Sequence, residues 1–148
     1  MQLTKFTDFG LRVLMYLAAM PEQGVVTVGE LAQRFEIPKN HLNKVVNRMV
    51  KQGWVIATPG RNGGVRMGQA PETLHLGDIL RAMEGHTELV DCNQPPCALR
   101  GNCYLKRVLD IGQREFYAGM NRYSLAELVQ PQTAAVIARM HFQPSLRH

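Results

Sequence analysis

Apolar side chains recur at helical spacing through the first fifty residues of the chain. A first helix is predicted from Asp8 to Ala19, because apolar residues return there every three or four positions. Residues 27–30 have the composition of a capping box, which predicts a short second helix ending before Pro38. A third helix follows, with one apolar stripe: Leu42, Val45, Val46, Met49 and Val50. Helix, tight turn and helix in this order predict a helix-turn-helix.

The other face of the third helix is polar and basic. Its residues are Lys39, Asn40, His41, Asn43, Lys44, Asn47 and Arg48. Arginine and lysine can donate to guanine or to phosphate, and asparagine can pair with adenine, so this face suits a DNA major groove. A solvated amphipathic helix would show the same pattern, and that interpretation stays open.

A β-hairpin is predicted after the third helix. Residues 54–58 and 65–67 have strand composition, and the turn between them contains Arg61, Asn62, Gly63 and Gly64. Glycines let the backbone approach a sugar-phosphate chain closely, and Arg61 can enter a narrow minor groove or bind a phosphate. An ordinary hairpin turn is the alternative, but a hairpin that follows a helix-turn-helix predicts a wing. The glycines do not form a dinucleotide-binding fingerprint.

The second half of the chain predicts a long helix. After a fourth helix over residues 76–83 and an irregular segment, periodicity returns from Cys103 to Met120. The apolar face of this helix comprises Leu105, Val108, Leu109, Gly112, Phe116 and Met120. Such a face needs burying, and the same helix of a second subunit would bury it, which predicts a homodimer. A short capped helix begins after Ser124, and the tail over residues 141–148 is expected to be disordered.

The predicted fold is therefore mainly α with a small β-hairpin wing. We expect a winged helix-turn-helix DNA-binding domain over residues 1–84, a loop over residues 85–103, and a dimerisation helix with a C-terminal tail over residues 104–148. The chain has 17 Lys and Arg against 12 Asp and Glu, a net charge of +5 that favours a polyanionic partner. The apolar run over residues 13–20 is too short to span a bilayer, so no membrane partner is expected. The histidines are scattered and no catalytic constellation is visible, which argues against an enzyme.

The three cysteines lie within twelve residues, at Cys92, Cys97 and Cys103. An odd number in so short a segment is unlike a secreted disulfide framework and indicates a reducing, cytoplasmic setting. Unlinked thiols and a redox dithiol are alternatives, but polar neighbours and the lack of a C-x-x-C motif favour a metal site. A structural zinc ion normally takes four protein ligands. An iron-sulfur cluster takes soft thiolates, and a loop of this span could wrap around such a larger, multi-metal group. Three thiolates leave one iron in need of a different ligand.

The chain resembles the iron-sulfur winged-helix repressors, and among them the nitric-oxide-sensing NsrR group. The resemblance rests on residues 1–8, on the winged helix with its turn over residues 60–64, and on the segment 89–103. It implies a cytoplasmic bacterial dimer that represses genes of nitric-oxide detoxification. It also implies an iron-sulfur cluster on the three cysteines, with [4Fe-4S] favoured and [2Fe-2S] as the alternative. Reaction of the cluster with nitric oxide would release the operator, which a symmetric dimer predicts to be an inverted repeat.

The same resemblance implies a fourth ligand. Asp8 of the opposite subunit would complete the site, with Arg12 one turn along as the partner of the released carboxylate. The simpler interpretation is that Asp8 is a first-turn residue favoured by the helix dipole. The related IscR group has a ligand histidine three residues after the last cysteine, where this chain has Lys106, which has no lone pair when protonated. A redox-sensing or iron-sensing [2Fe-2S] regulator and a constitutive zinc-containing DNA-binding protein stay open.

Overall fold

A computed structural model describes residues 1–20, 24–85 and 88–142 of the protein. In chain order its elements are α1 (Lys5–Ala19), α2 (Val28–Phe35), α3 (Lys39–Lys51), β1 (Val55–Thr58), β2 (Gly64–Met67), a short 3-10 helix (Pro71–Thr73), α4 (Leu76–Glu84), α5 (Tyr104–Met120), α6 (Leu125–Leu128) and α7 (Pro131–Phe142). The predicted class, mainly α with a small hairpin behind a helix-turn-helix, is confirmed. Among the described residues, no helix has the length and apolar content needed to cross a membrane.

The helix-turn-helix is formed by α2 and α3. Thr27 and Glu30 form the predicted capping box: the Thr27 hydroxyl accepts from the Glu30 backbone N–H, and the Glu30 carboxylate accepts from that of Thr27. The hydrogen bond from the Thr27 backbone holds the pKa of Glu30 below its ordinary value. α2 ends at Glu36, whose left-handed backbone (φ +54°) turns the chain sharply. These local signals place α3 directly after a three-residue turn.

The hairpin consists of β1 and β2, which pair antiparallel with Val55 opposite Met67 and Thr58 opposite Gly64. Val26, just before α2, adds two backbone hydrogen bonds to Val65, of 3.2 and 2.7 Å. The hairpin is therefore attached to the entry of the helix-turn-helix as well as to the end of α3.

One hydrophobic core joins these elements, and the C-terminal helices contribute to it. The most completely buried side chains lie in α1, α2, α3, α4, α6 and the hairpin: Val13, Leu14, Tyr16, Leu31, Leu42, Val45, Met49, Val55, Val65, Ile79 and Leu125. From α7, Ile137 is 6% exposed and belongs to the same cluster. The division of the chain at residues 84 and 103 remains a prediction.

Tyr16 connects three helices by its hydroxyl group. The Arg34 guanidinium of α2 donates to the Tyr16 oxygen at 2.5 Å, and Nδ1 of His141 in α7 lies 2.7 Å from the same oxygen. Burial raises the pKa of Tyr16 above its ordinary value, so the phenol stays protonated. The hydroxyl is thus a fixed junction between α1, the first helix of the helix-turn-helix and the last helix.

The long helix α5 contrasts with this core, because none of its residues is buried. Its C-terminal end is nevertheless attached to α4. A Cβ atom on Gly77 would lie 2.1 Å from the Tyr117 carbonyl oxygen, so only glycine permits this close approach. The Asn121 side chain accepts from the Asp78 N–H at 2.8 Å and donates to the Asp78 carboxylate at 2.9 Å.

The main differences between the structure and the sequence predictions concern α1, α3 and the C-terminal tail, while one end of β1, β2, α4 and α5 moves by one residue. α1 begins three residues earlier than predicted, because the Thr4 hydroxyl caps it by accepting from the Thr7 N–H. The apolar stripe of α3 is narrower than predicted, since Val50 is 38% exposed. Disorder from residue 141 is wrong for the first two residues, which belong to α7; residues 143–148 lie outside the described part of the chain.

Candidate nucleic-acid interface and cysteine loop

The polar face of α3 is exposed in the single chain. All seven predicted contact residues are exposed: Lys39, Asn40, His41, Asn43, Lys44, Asn47 and Arg48. The opposite face buries Leu42, Val45, Val46 and Met49. α3 contains no acidic residue, so nothing on this helix would repel a phosphate.

Two residues of this face have local partners in the structure. The Asn40 carboxamide oxygen accepts from the His41 backbone N–H at 3.0 Å at the start of α3. The Arg48 guanidinium donates to the Ala82 carbonyl oxygen of α4 at 3.5 Å. Arg48 therefore lies on the side of α3 that faces α4, whereas Lys44 and Asn47 are exposed to solvent.

The tip of the hairpin carries Arg61 and Asn62, both exposed. Gly60 has a positive φ of +101°, which residues with a side chain rarely adopt. A Cβ atom on Gly63 would lie 2.0 Å from the Thr58 carbonyl oxygen, and one on Gly64 would lie 2.8 Å from that of Val26. The hairpin itself therefore requires glycine at both positions, which is enough to explain why glycine stands there. The contact of these two residues with DNA remains a prediction.

The cysteine loop, which we define as residues 88–103, joins α4 to α5. Cys97 is exposed, Cys92 and Cys103 are partly buried, and all three are free thiols. The Cys97 N–H donates to the Cys92 carbonyl oxygen at 3.1 Å, and the Arg100 N–H donates to the Cys97 carbonyl at 3.1 Å. Cys103 caps α5, where its Sγ accepts from the Lys106 N–H at 3.5 Å. The three sulfur atoms are thus carried by one short, turn-rich segment.

The three thiols have the chemistry of iron-sulfur ligands, but they form no preassembled metal site among the described residues. Within the described ranges, no three His, Cys, Asp or Glu side chains are arranged to hold one ion. A cleft of about 730 Å³ lies beside the loop, lined by Cys92, Cys103 and several cations, among them Arg100, Arg107 and Arg114. Soft thiolates are the ligands that iron-sulfur clusters take, and nearby cations and N–H donors offset their negative charge. The chemistry of this donor set therefore fits a cluster.

Lys106 cannot act as the remaining ligand in this arrangement. Its ammonium group is held between the carboxylates of Asp110 and Glu88, the latter at 3.4 Å. The hydrogen bond to Asp110 raises the pKa of Lys106 above its ordinary value. The nitrogen therefore remains protonated and has no lone pair for a metal.

Asp8 and Arg12 form an ion pair on α1. Arg12 donates twice to the carboxylate, from Nε at 3.0 Å and from Nη2 at 2.7 Å, and both side chains are about half exposed. Within one chain the structure does not group Asp8 with the cysteines. The roles of Asp8 as a cluster ligand and of Arg12 as its partner remain predictions.

Sequence reasoning missed a set of contacts at the end of α4. Glu84 accepts from the backbone and side chain of Thr4, and Met83 lies against Gly10. The one local signal was Gly10, because a glycine inside an apolar helix often marks close packing.

An exposed basic third helix together with a hairpin wing defines a winged-helix transcriptional regulator. The family described as Rrf2, iron-dependent transcriptional regulator, matches residues 3–131, and the chain belongs to this family. The regulators of this family bind DNA and are typically dimeric.

Solved structures are similar along most of the chain. CymR of B. subtilis, described as the global cysteine regulator of that organism, is 23% identical with a TM-score of 0.70, over 87% of this chain and 96% of its own. CymR of Staphylococcus aureus is 20% identical with a TM-score of 0.68, over 86% and 97%. IscR of T. potens is 19% identical with a TM-score of 0.71, over 91% and 90%. At these identities the likeness establishes the fold alone.

Proposed function

We propose that this protein is a cytoplasmic, homodimeric transcriptional repressor whose operator affinity is controlled by an iron-sulfur cluster that reacts with nitric oxide. The observation that carries the proposal is the group of three free thiols at Cys92, Cys97 and Cys103. They lie on one loop, directly between the winged helix and α5.

The cysteines would hold the cluster, for which [4Fe-4S] is favoured and [2Fe-2S] is the alternative. The cluster supplies iron that binds nitric oxide. The chain's own residues supply three soft ligands, an N–H donor to Cys103 and cations that offset the added negative charge. A second candidate, an iron-sensing [2Fe-2S] regulator, is favoured by the description of the family as iron-dependent.

Anaerobic purification followed by iron, sulfide and zinc analysis tests the cofactor. We expect iron with equimolar sulfide and a visible absorption band, which disappears when Cys92, Cys97 or Cys103 is changed to Ala. Asn102→Ala, in the same loop, is the matched control and should keep the band. Zinc without sulfide would overturn the cluster. The second candidate would be favoured by two results together: nitric oxide changes neither the absorption band nor the operator affinity, and the protein responds to iron supply.

Two copies of the winged helix would bind an inverted repeat. α5 leaves apolar residues exposed, including Leu105 at 64% and Val108 at 45%, and a second α5 would cover them. A symmetric dimer then presents two α3 helices to half-sites about 10 base pairs apart, or a multiple of that distance.

The DNA interface is tested by operator titrations at several salt concentrations. We expect Arg61→Ala to weaken binding and Lys44→Ala to lower the salt slope by about one unit for each phosphate that is no longer neutralised. Arg139→Ala is the control: it removes one positive charge from the exposed surface of α7, outside α3 and the wing, and should leave the slope unchanged. Parental affinity and slope in both test variants would remove α3 and the wing from the interface.

We further propose Asp8 of the opposite subunit as the remaining cluster ligand. Its pairing with Arg12 within the chain gives a direct contrast, because Arg12→Ala breaks the ion pair but leaves the carboxylate. We expect the cluster spectrum and the nitric-oxide kinetics to change in Asp8→Ala, which loses the ligand. Both should keep their parental values in Arg12→Ala. Parental spectra and kinetics in Asp8→Ala would leave Asp8 as a first-turn residue bound by Arg12.

A further inference from the structure

The last turn of α4, residues Ala82–Glu84, contacts both α3, the proposed recognition helix, and the start of α1. The Ala82 carbonyl oxygen accepts from Arg48 of α3 at 3.5 Å. Beside this contact is a cleft of about 300 Å³, which Arg48 and Gly85 both line. The start of the segment that leads to the cysteine loop thus adjoins the C-terminal half of the recognition helix.

Met83 lies where α1 and α3 meet. It is 5% exposed, and a Cβ atom on Gly10 of α1 would lie 2.4 Å from its terminal methyl carbon. The same Cβ position is 3.6 Å from a methyl group of Val45 in α3. Because protein interiors are close-packed, a displacement of the Met83 backbone changes the packing at this junction of α1 and α3.

Glu84 binds the beginning of α1. Its Oε1 accepts from the Thr4 backbone N–H at 2.8 Å and from the Thr4 hydroxyl at 3.0 Å. Thr4 is the N-cap of α1, and Asp8 lies in the first turn of that helix. The next residue after Glu84 is Gly85, whose positive φ of +74° ends α4 and directs the chain away from it.

We propose that Ala82, Met83 and Glu84 form a coupling turn, which transmits a change in the cysteine loop to the DNA-binding surface within the same subunit. The inference rests on the proposed function, since it needs a loop that changes with the cluster. Three consecutive residues, separated from the cysteine loop by residues 85–87, contact α3, the α1–α3 junction and the α1 cap. A shift of the loop that moves the end of α4 therefore biases the position of the recognition helix.

A competing path would run through α5, where Asn121 and Asp78 join that helix to the start of α4. The observations favour the last turn of α4, because its contacts reach α3 directly. The hydrogen bonds between Asp78 and Asn121 join α4 only to the end of α5. Coupling through α5 is accordingly an outcome of the test.

The test compares operator affinities of the cluster-loaded and the cluster-free protein, and takes their ratio as the measure of coupling. We expect Glu84→Ala to keep the visible absorption of the cluster and to reduce this ratio about threefold to tenfold. Glu84→Gln should keep most of the ratio, because its amide oxygen can still accept from Thr4. Glu72→Ala, an exposed carboxylate in the 3-10 helix, is the control. If Glu84→Ala does not fold, Gly10→Ala applies the test by forcing the end of Met83 to move.

Hydrogen exchange of the cluster-free protein gives a second readout. The first-turn amides of α1 should exchange faster in Glu84→Ala than in the parent, and at the parental rate in Glu84→Gln. An unchanged affinity ratio together with faster exchange would overturn the coupling role, as would a ratio reduced by Asn121→Ala and not by Glu84→Ala. A parental protein whose ratio is one would instead remove the proposed regulation itself, so the two failures are distinguishable.

Discussion

The winged helix and α5 differ in how much apolar surface a single chain can bury. In the winged helix, Leu14, Leu31 and Leu42 are completely buried, and the core continues into α4, α6 and α7. In α5 no residue is buried, and Tyr104, Leu105 and Val108 are between 45% and 75% exposed. The winged helix therefore has a buried core within one chain. Helix α5, by contrast, leaves an apolar face exposed in the single chain.

The largest expected effect tests this difference with the same substitution in both regions. Leu14→Ala should lower the free energy of unfolding by about 2–5 kcal/mol, because it leaves a cavity in the core. Leu105→Ala should leave the unfolding free energy of the monomer nearly unchanged, since its side chain is 64% exposed. Urea unfolding at low protein concentration measures both. Equal losses in the two variants would mean that α5 is already packed within a single chain.

A second prediction concerns the contact that holds α5 to α4. Gly77→Ala should cost about 1–3 kcal/mol, because its new methyl group meets the Tyr117 carbonyl oxygen and the helices have to separate. Gly119→Ala, on α5 itself, meets only a flexible arginine end at 3.8 Å and is the control. Thermal unfolding compares the two variants. A Gly77→Ala protein as stable as the parent would show that this approach is not required.

The third prediction addresses the exposed face of α5. Leu105→Asp should raise the dissociation constant of the proposed dimer at least about tenfold, because a carboxylate would be buried between the two helices. Sedimentation over a range of concentrations measures this constant. Tyr123→Asp, at a residue 50% exposed beyond the end of α5, is the control. Dimers of parental strength in Leu105→Asp would exclude this face as the interface.

The smallest effect is expected at the capping box of α2. The folded-state pKa of Glu30 is lowered, so its stabilisation is present above its ordinary pKa of 4.5 and is lost as the pH falls through the lowered value. Glu30→Gln should therefore flatten the acid side of the stability profile, and Thr27→Ala should cost about 1 kcal/mol. Urea unfolding from about pH 7 to about pH 3 measures both. Glu127→Gln makes the same change in the capping box of α6, so its stability profile serves for comparison with the C-terminal region. A Glu30→Gln profile parallel to that of the parent would contradict the prediction.

Local sequence signals predicted the elements whose causes are local. Thr27 and Glu30 identified the start of α2, and the glycine-rich turn identified the hairpin. The stripe of α3 was predicted apart from Val50, which lies at the margin of the buried face. For the candidate site, exposure of the α3 face and the tip of the hairpin followed from the same periodicity.

Contacts between distant residues could not be predicted in this way. α7 packs on Tyr16, 125 residues earlier, and its own apolar periodicity is weak. The Thr4–Glu84 contact joins residues 80 positions apart, and no periodicity within either helix indicates it. The arrangement of the cysteines was equally out of reach, because the loop lacks regular periodicity and its structure depends on individual turns.

The two contacts of the Tyr16 hydroxyl become possible at different times during synthesis, because Arg34 is made early and His141 late. α1 and α2 leave the ribosome early and can form with the Arg34 contact in place. The histidine that binds the same oxygen is residue 141, so the last contact of the first helix waits for almost the whole chain. A chain that stops before α7 would leave that phenol without its histidine and would expose the apolar surface that Ile137 covers. The first helix is thus made early, while one of its contacts forms only with the last helix.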